Sequence, residues 1–186
     1  MTKPPGCTAK QTPKRIKLVN EIMEGLTNQE MYKLIGNGRD EASVTDHMYH
    51  TLLKSLRKMY LAELHPDATP ERADNWARKS LLWERDVNTT INNIMFLGTG
   101  HRPDFVVQAN RIRIAIEVKR GDNGASIRDA LGQCVVYASY FEFVCCVLVD
   151  TSKDKRVLHA FEQEVGDEQS MLSRLWGDFN VRLAVV

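Results

Sequence analysis

The sequence predicts an α/β protein whose core has three layers, α/β/α, around a mixed sheet, with a helical extension at its N-terminus. Residues 13–64 repeat apolar side chains at helical spacing, which predicts the extension. The later segments follow the order helix, three strands, helix, strand, helix, strand, which indicates helices packed on a sheet. We expect a disordered tail at 1–12, the helical extension at 13–65 and the core domain at 66–186.

The composition is that of an ordinary globular protein. A chain of 186 residues with 43% hydrophobic and 26% charged residues is long enough for one good-sized domain. No apolar run approaches a membrane span and no secretion signal is evident, so we expect a cytoplasmic or nucleoid-associated location. The 25 basic and 24 acidic residues nearly balance, so a nucleic-acid partner would have to be held by a local basic patch.

Three helices are predicted in the extension. Thr27 and Glu30 form a capping box for the second helix, which Gly36 ends. The second and third helices together resemble a helix-turn-helix of the LuxR type, with the extra residues GNGRD in the turn. That resemblance implies a DNA-reading unit, and a plain helical subdomain is the alternative. The apolar stripes of the first and third helices are Ile16, Val19, Ile22 and Met23, then Val44, Met48, Leu52, Leu56 and Met59.

The core domain begins after His65-Pro66, which ends the preceding helix. Thr69 and Pro70 open a helix that we expect to run to about residue 86. The β-branched run NTTINNIMFLG predicts the first strand, and Gly98 and Gly100 end it. The remaining predicted elements are the hairpin at 101–120, a helix at 126–140 capped by Ser126 and Asp129, the strand FVCCVLVD, a broken helix at 154–176 and the strand NVRLAVV.

The cysteines and tryptophans predict packing rather than chemistry. Neither a CxxC pair nor a histidine at zinc spacing accompanies Cys7, Cys134, Cys145 or Cys146, which indicates buried free thiols. Alternation along a strand directs Cys145 and Cys146 to opposite faces. We expect core or subdomain packing for the three tryptophans, Trp76, Trp83 and Trp176.

The stretch HRPDFVVQANRIRIAIEVKR reads as two strands around a short turn. Alternation puts the isoleucines of the second strand on the core, and Ala115, Glu117 and Lys119 on the opposite face. With the turn at Ala109-Asn110, Asp104 faces Ala115. Asp104 and Glu117 are then diagonal neighbours with backbones about 7–8 Å apart. The alternative is the solvated face of a charged hairpin.

These residue types suit hydrolysis of a phosphodiester. Two carboxylates that lean together, Asp104 and Glu117, can bind one hard cation, and the backbone carbonyl of Val118 can be a further ligand. Such a cation polarises a phosphate and activates water, while Lys119 can position the water and offset the developing charge. The hairpin therefore predicts a metal-dependent catalytic site.

Pro103-Asp104 followed by Glu117-Val118-Lys119 resembles the motif of the PD-(D/E)XK nucleases, a superfamily that includes restriction enzymes, archaeal Holliday-junction resolvases and RecB-type exonucleases. The resemblance implies a restriction-endonuclease-like αβββαβ core over about residues 69–150. It also implies Mg²⁺ or Mn²⁺ as cofactor and nucleic acid as substrate, with DNA favoured over RNA and the choice between them left open. Endonuclease and exonuclease remain open, and so does a homodimer, which is frequent in this superfamily.

Two further features fit the same superfamily. Gln133 and Tyr137, one helical turn apart, resemble the QxxxY motif of RecB-like members, which orients the lysine or contacts DNA. Members also use a glutamate from the helix before the first strand. Glu71 fits best, and Glu84 is the alternative, less favoured because a carboxylate near a helix C-terminus is destabilised.

The remaining candidates are histidines and arginines near the motif. His101 could contact phosphate, although polar strand edge is the simpler interpretation. His47 and His50 would matter only if the helical extension closes over the cleft. A non-catalytic DNA-binding regulator with a nuclease-like fold is the alternative to an enzyme. The hypothesised phosphate contacts are Arg102, Arg111, Arg113 and Arg120.

Overall fold

A computed structural model of the chain describes residues 11–28, 31, 41–87, 90–163 and 166–186. Most of the predicted tail, Cys7, Glu30, Gly36 and the GNGRD turn lie outside the described residues. The helices are α1 (Pro13–Leu26), α2 (Glu41–Met59, continued by a π-helical turn at Tyr60–Leu64), α3 (Pro70–Ser80), α4 (Gly124–Ala138), α5 (Arg156–Gln163) and α6 (Asp167–Phe179). The strands are β1 (Leu81–Trp83), β2 (Ile94–Phe96), β3 (Thr99–His101), β4 (Phe105–Ala109), β5 (Ile112–Arg120), β6 (Phe143–Val149) and β7 (Val181–Val185).

The main sheet has the strand order β1-β4-β5-β6-β7. Its first two pairings are antiparallel and its last two are parallel, so the predicted α/β class with a mixed sheet is confirmed. Strands β2 and β3 form a separate antiparallel hairpin. Among the described residues, no helix combines the length and apolar content needed to span a bilayer.

Helices pack on both faces of this sheet. The isoleucine face of β5 shares one apolar core with α1, α2 and α3, and the predicted stripes of α1 and α2 are buried there except for half-buried Ile16. The opposite face, which includes Ala115, packs against α4 and α5. Cys145 and Cys146 lie in different cores, as alternation predicts. The three tryptophans pack at the margin of the first core, also as predicted.

The helix expected at 70–86 is shorter than predicted and leads directly into a strand. It ends at Ser80, whose buried hydroxyl lies 2.5 Å from that of Tyr60. Residues Leu81–Trp83 form β1 and pair with β4. The run NTTINNIMFLG supplies only β2 of the side hairpin, so it is not the first strand of the main sheet. A three-residue strand is too short to show alternation, and pairing with β4 decides its conformation.

Local capping is confirmed in one helix and corrected in another. Thr69 accepts the backbone N–H of Arg72 at 3.3 Å, as predicted. At α4 the cap is Asn123, which accepts the amides of residues 125 and 126, so Ser126 lies inside the helix. Thr27 donates its hydroxyl to the Met23 carbonyl at the end of α1. The neighbouring Asn28 accepts the Met31 amide at 3.1 Å, while Glu30, the other half of the predicted capping box, lies outside the described residues.

The turn between β4 and β5 is one residue later than predicted. Asn110 and Arg111 occupy it, with φ of 50° and 60°. A two-residue turn of this kind needs positive φ at both positions, which Asn adopts readily. The predicted turn residue Ala109 is buried and pairs with Ile112. Each side chain stays on its predicted face of the sheet, but every residue of β4 pairs with a residue of β5 two positions later than predicted.

Candidate active site

The observed register places Asp104 directly opposite Glu117. The last pair of the ladder joins Phe105 to Ile116, and Asp104 immediately precedes β4. Asp104 Oδ2 accepts the backbone N–H of Val118 at 2.7 Å. Because the N–H and C=O of one residue in an extended strand point to the same side, the Val118 carbonyl is also directed to the β4 side. Asp104 and Glu117 are therefore directly opposite each other, rather than diagonal neighbours as predicted.

Glu117 is buried beside a lysine on the same face of β5. Its side chain is only 2% exposed, and Lys119 Nζ lies 3.0 Å from Glu117 Oε1. Glu117 Oε2 is buried and has no hydrogen-bond partner in the part of the chain that the structure describes. A buried carboxylate oxygen without a partner is costly, so an external ligand is the natural source of the missing interaction.

Burial and the neighbouring acid raise the pKa of Glu117. Loss of solvation is the largest cause and the negative charge of Asp104 adds to it. The Lys119 ammonium and the neighbouring Tyr137 hydroxyl offset part of the rise, and the pKa of Glu117 comes to about 7. Ionised Glu117 is therefore destabilised by burial and by Asp104, and a bound cation would reduce that destabilisation.

These side chains line a polar cavity of about 310 Å³ on the α4 face of the sheet. A larger cavity of about 590 Å³ lies between α4, α5, α6 and β7, but its lining is mainly apolar. The smaller cavity is the one that contains the acids and the amine. Its lining residues are Glu84, Asn93, Gly100, His101, Arg102, Asp104, Glu117, Lys119, Gln133 and Tyr137.

Helix α4 contributes the predicted Gln133 and Tyr137 to this cavity. Tyr137 is 1% exposed, and burial together with the charges of Glu117 and Asp104 raises its pKa well above the ordinary value. Tyr137 is therefore a neutral hydroxyl. Gln133 Oε1 is buried and, among the described residues, has no hydrogen-bond partner. Both side chains are placed beside the acids, as the QxxxY resemblance implies.

The upstream glutamate that reaches the cavity is Glu84 rather than Glu71. Glu84 directly follows β1, and its backbone N–H donates to the Asp104 carbonyl at 2.9 Å. Its carboxylate accepts two hydrogen bonds from Arg102, at 2.9 and 2.5 Å. Glu71 is exposed in the first turn of α3 and does not line the cavity. The reason is the early end of α3, since β1 then carries Glu84 into the site.

Of the four arginines predicted to contact phosphate, only Arg102 lines the cavity. Arg111 lies in the β4–β5 turn, about 20 Å along the strand from Glu117 at ~3.3 Å per residue. Arg113 donates to the Tyr140 carbonyl at 2.6 Å and pairs with Glu142. Arg120 contacts Thr151 and Asp122. Position along β5 and local pairing therefore keep these three away from the acids.

The histidine predictions divide in the same way. His101 ends β3 and lines the cavity. His47 and His50 lie on α2, which packs against the other face of the sheet, so α2 does not bring them to the cavity. Asn93 and Gly100 line it too, although sequence reasoning did not single them out. The β2–β3 hairpin places both residues at the cavity. No local sequence pattern predicts that this hairpin lies there.

The oxygen atoms of the cavity are of the kind that bind a divalent cation. No group of three or more His, Cys, Asp or Glu residues arranged to hold a metal is found among the described residues. Asp104 and Glu117 supply two carboxylates, one of which has the unpartnered oxygen Glu117 Oε2, and the Val118 carbonyl adds a third oxygen ligand. Mg²⁺ commonly binds through one or two carboxylates and keeps several waters. The residues present therefore fit a water-rich Mg²⁺ or Mn²⁺ site.

Comparison of the chain with protein-family models, with characterised proteins and with solved structures gives no significant match.

Proposed function

We propose that this protein is a metal-dependent nuclease that hydrolyses phosphodiester bonds in DNA, of the PD-(D/E)XK type that its motif resembles. The observation that carries the proposal is the buried Glu117, opposite Asp104 and 3.0 Å from Lys119, with one oxygen unpartnered among the described residues. A charged hairpin surface would keep its carboxylates in solvent, because burying such a charge is costly. Glu117 is only 2% exposed, which argues against that alternative.

The element order also supports the proposal. Helix α3 is followed by β1, β4, β5, α4 and β6, with the β2–β3 hairpin inserted between β1 and β4. This order matches the αβββαβ core that the resemblance implies. The acids come from β5 and from the residue before β4, while Gln133 and Tyr137 come from the helix after the ExK strand.

In this proposal Asp104, Glu117 and the Val118 carbonyl hold the cation, which supplies polarisation of the phosphate and acidification of water. Lys119 keeps a positive charge beside the acids and offsets negative charge that develops at the phosphate. Tyr137 stays neutral beside Glu117, and its hydroxyl offsets part of the cost of ionising that acid. Gln133 offers a buried amide oxygen for the lysine or the attacking water.

Cleavage assays test the proposal directly. Wild-type protein is incubated with linear, circular, branched and single-stranded DNA and with RNA, in Mg²⁺, Mn²⁺ or EDTA. We expect DNA cleavage that needs the cation, and a loss of about 100-fold or more in Lys119→Ala, Asp104→Asn or Glu117→Gln. Lys54→Ala, which removes an exposed lysine from α2, is the control and should cleave like the wild type.

The outcomes separate the proposal from its rivals. Cleavage in EDTA, or full cleavage by any of the three site variants, would contradict it. Binding of DNA without cleavage in Mg²⁺ or Mn²⁺ would indicate the non-catalytic regulator. Preferential cutting of RNA would reverse the substrate assignment. A homodimer stays a prediction, which light scattering of the free protein can check.

A further inference from the structure

The β2–β3 hairpin exposes an apolar tip next to the candidate active site. We define the tip as residues 95–98. Met95, Phe96 and Leu97 are 57%, 49% and 88% exposed. Exposed single hydrophobic side chains are common on proteins, but three in succession at the end of a hairpin are not explained by folding.

The conformation of the tip makes Leu97 more unusual. Leu97 and Gly98 have φ of 48° and 76°, so both residues of this two-residue turn are in the left-handed region. Asn, Asp and Gly are the residues that favour the first position, and the β4–β5 turn of the same chain has Asn110 there. Leucine is disfavoured in this conformation by its Cβ. Leu97 therefore has both an unfavourable backbone conformation and an unfavourable exposure of its apolar side chain to water.

The hairpin is anchored at β2, on the side away from its turn. Ile94 is buried in the α4-side core, and the Tyr140 hydroxyl donates to the Met95 carbonyl at 3.3 Å. His101, which ends β3, lines the candidate active site. A three-residue strand spans about 10 Å, so the tip lies about that far along β3 from His101 and the cavity that His101 lines. The tip and the cavity would meet the same stretch of a bound substrate.

We propose that this tip is a wedge that inserts Leu97 into the base stack of duplex DNA beside the bond to be cut, with Met95 and Phe96 packing against the separated bases. The inference rests on the proposed function, because it takes DNA as the substrate of the cavity. Apolar side chains, including Leu, Met and Phe, are inserted between base steps by proteins that kink DNA. Such an inserted side chain must be apolar and exposed, and Leu97 is both.

The surroundings of the tip lack the charges that would hold it on an anionic membrane surface. The stretch TINNIMFLGTG, residues 90–100, contains no lysine or arginine. The nearby Arg102 is engaged by Glu84. A loop that inserts into lipid is usually flanked by basic residues that attract anionic headgroups. The same residues offer no contact to a DNA phosphate, so in this proposal the tip contacts only the faces of the bases and the neighbouring cavity receives the phosphate.

Leu97→Asn is the decisive variant, because Asn suits the turn. The wild type, Leu97→Asn and the control Met171→Gln, which changes an exposed methionine on α6, are titrated in EDTA with a short duplex containing 2-aminopurine. We expect the wild type and the control to raise 2-aminopurine fluorescence by unstacking bases. Leu97→Asn should lose this rise and bind at least about tenfold more weakly. Its Tm should equal or exceed that of the wild type.

Each outcome bears on the wedge separately from the nuclease activity. Wild-type affinity and fluorescence in Leu97→Asn would overturn the wedge, and so would a wild type that binds duplex DNA without unstacking or does not bind it. Leu97-dependent sedimentation with anionic vesicles, with DNA binding unaffected, would overturn it in favour of a membrane contact. Leu97-dependent unstacking without cleavage in Mg²⁺ or Mn²⁺ would support the wedge while the proposed nuclease function fails.

Discussion

Two buried carboxylates at the same end of the sheet have opposite surroundings. Asp150 directly follows β6 and is 0% exposed, while Glu117 lies on the neighbouring β5 and is 2% exposed. Asp150 accepts hydrogen bonds from the Ser152 amide at 2.9 Å and hydroxyl at 2.5 Å, and from the amides of Val157 and Leu158 at 3.0 Å. Glu117 has Lys119 on one oxygen and no partner among the described residues on the other.

The pKa values of the two acids shift in opposite directions. Burial alone would raise the pKa of Asp150, but the hydrogen bonds from Ser152, Leu158 and Val157 outweigh it and lower the pKa below its ordinary value. Burial and Asp104 raise the pKa of Glu117 to about 7. The chain therefore supplies its own donors to Asp150, which caps α5, whereas the described residues leave Glu117 Oε2 without a donor.

The largest stability effect should come from the acid whose hydrogen bonds are complete. Asp150→Ala removes the acceptor of four hydrogen bonds and leaves two amides at the start of α5 without a partner. We expect the free energy of unfolding to fall by about 3 kcal/mol. Denaturant unfolding measures this, and Asp154→Ala, at an exposed position nearby, should change it by less than about 0.5 kcal/mol. Equal stability of the two variants would remove the contrast between Asp150 and Glu117.

Sequence patterns recovered the features of the site that depend on local periodicity. The alternation in β5 predicted that Glu117 and Lys119 share a face opposite the isoleucines, and both the cores and the cavity agree. The helical spacing of Gln133 and Tyr137 likewise predicted a shared side of α4. Such relations are set by the geometry of a single element, so they can be inferred without knowing its neighbours.

Features that depend on pairing between distant segments were not recovered. Strand β1 has three residues, so it has no readable period, and its identity follows from pairing with β4. That pairing decides that Glu84 and not Glu71 reaches the cavity. The β2–β3 hairpin brings Asn93 to the site for the same non-local reason. The β4–β5 register depends on which two residues adopt positive φ in the turn. No local pattern indicates that Arg111 is one of them.

The pH dependence of stability should sharpen the comparison, with opposite signs for the two acids. Between about pH 4.3, the ordinary glutamate pKa, and about 7, the pKa of Glu117, the folded protein binds more protons than the unfolded chain. Glu117 therefore lowers the free energy of unfolding as the pH rises through this window. The lowered pKa of Asp150 stabilises the fold above the unfolded aspartate pKa of about 3.9, and that stability is lost as the pH falls through the folded value.

Urea unfolding of the wild type and Glu117→Gln in EDTA measures the first of these effects. The glutamine has no proton to lose, so its stability relative to the wild type should increase by roughly 2 kcal/mol between about pH 5 and about pH 7. A constant difference across that range would show that Glu117 is not held at a raised pKa. Asp150→Ala is the matched variant, and its difference from the wild type should shrink only in acid.

The smallest expected effect concerns the second unpartnered oxygen of the site. If the cavity keeps unsatisfied groups for a ligand, removing the Gln133 amide should help folding and harm catalysis. Gln133→Met keeps the length of the side chain, and we expect the free energy of unfolding to rise by up to about 1 kcal/mol. Cleavage should fall about tenfold through loss of a positioning group. Gln163→Met, at an exposed position in α5, should change neither. A destabilised Gln133→Met would mean that the amide already has the partner it needs.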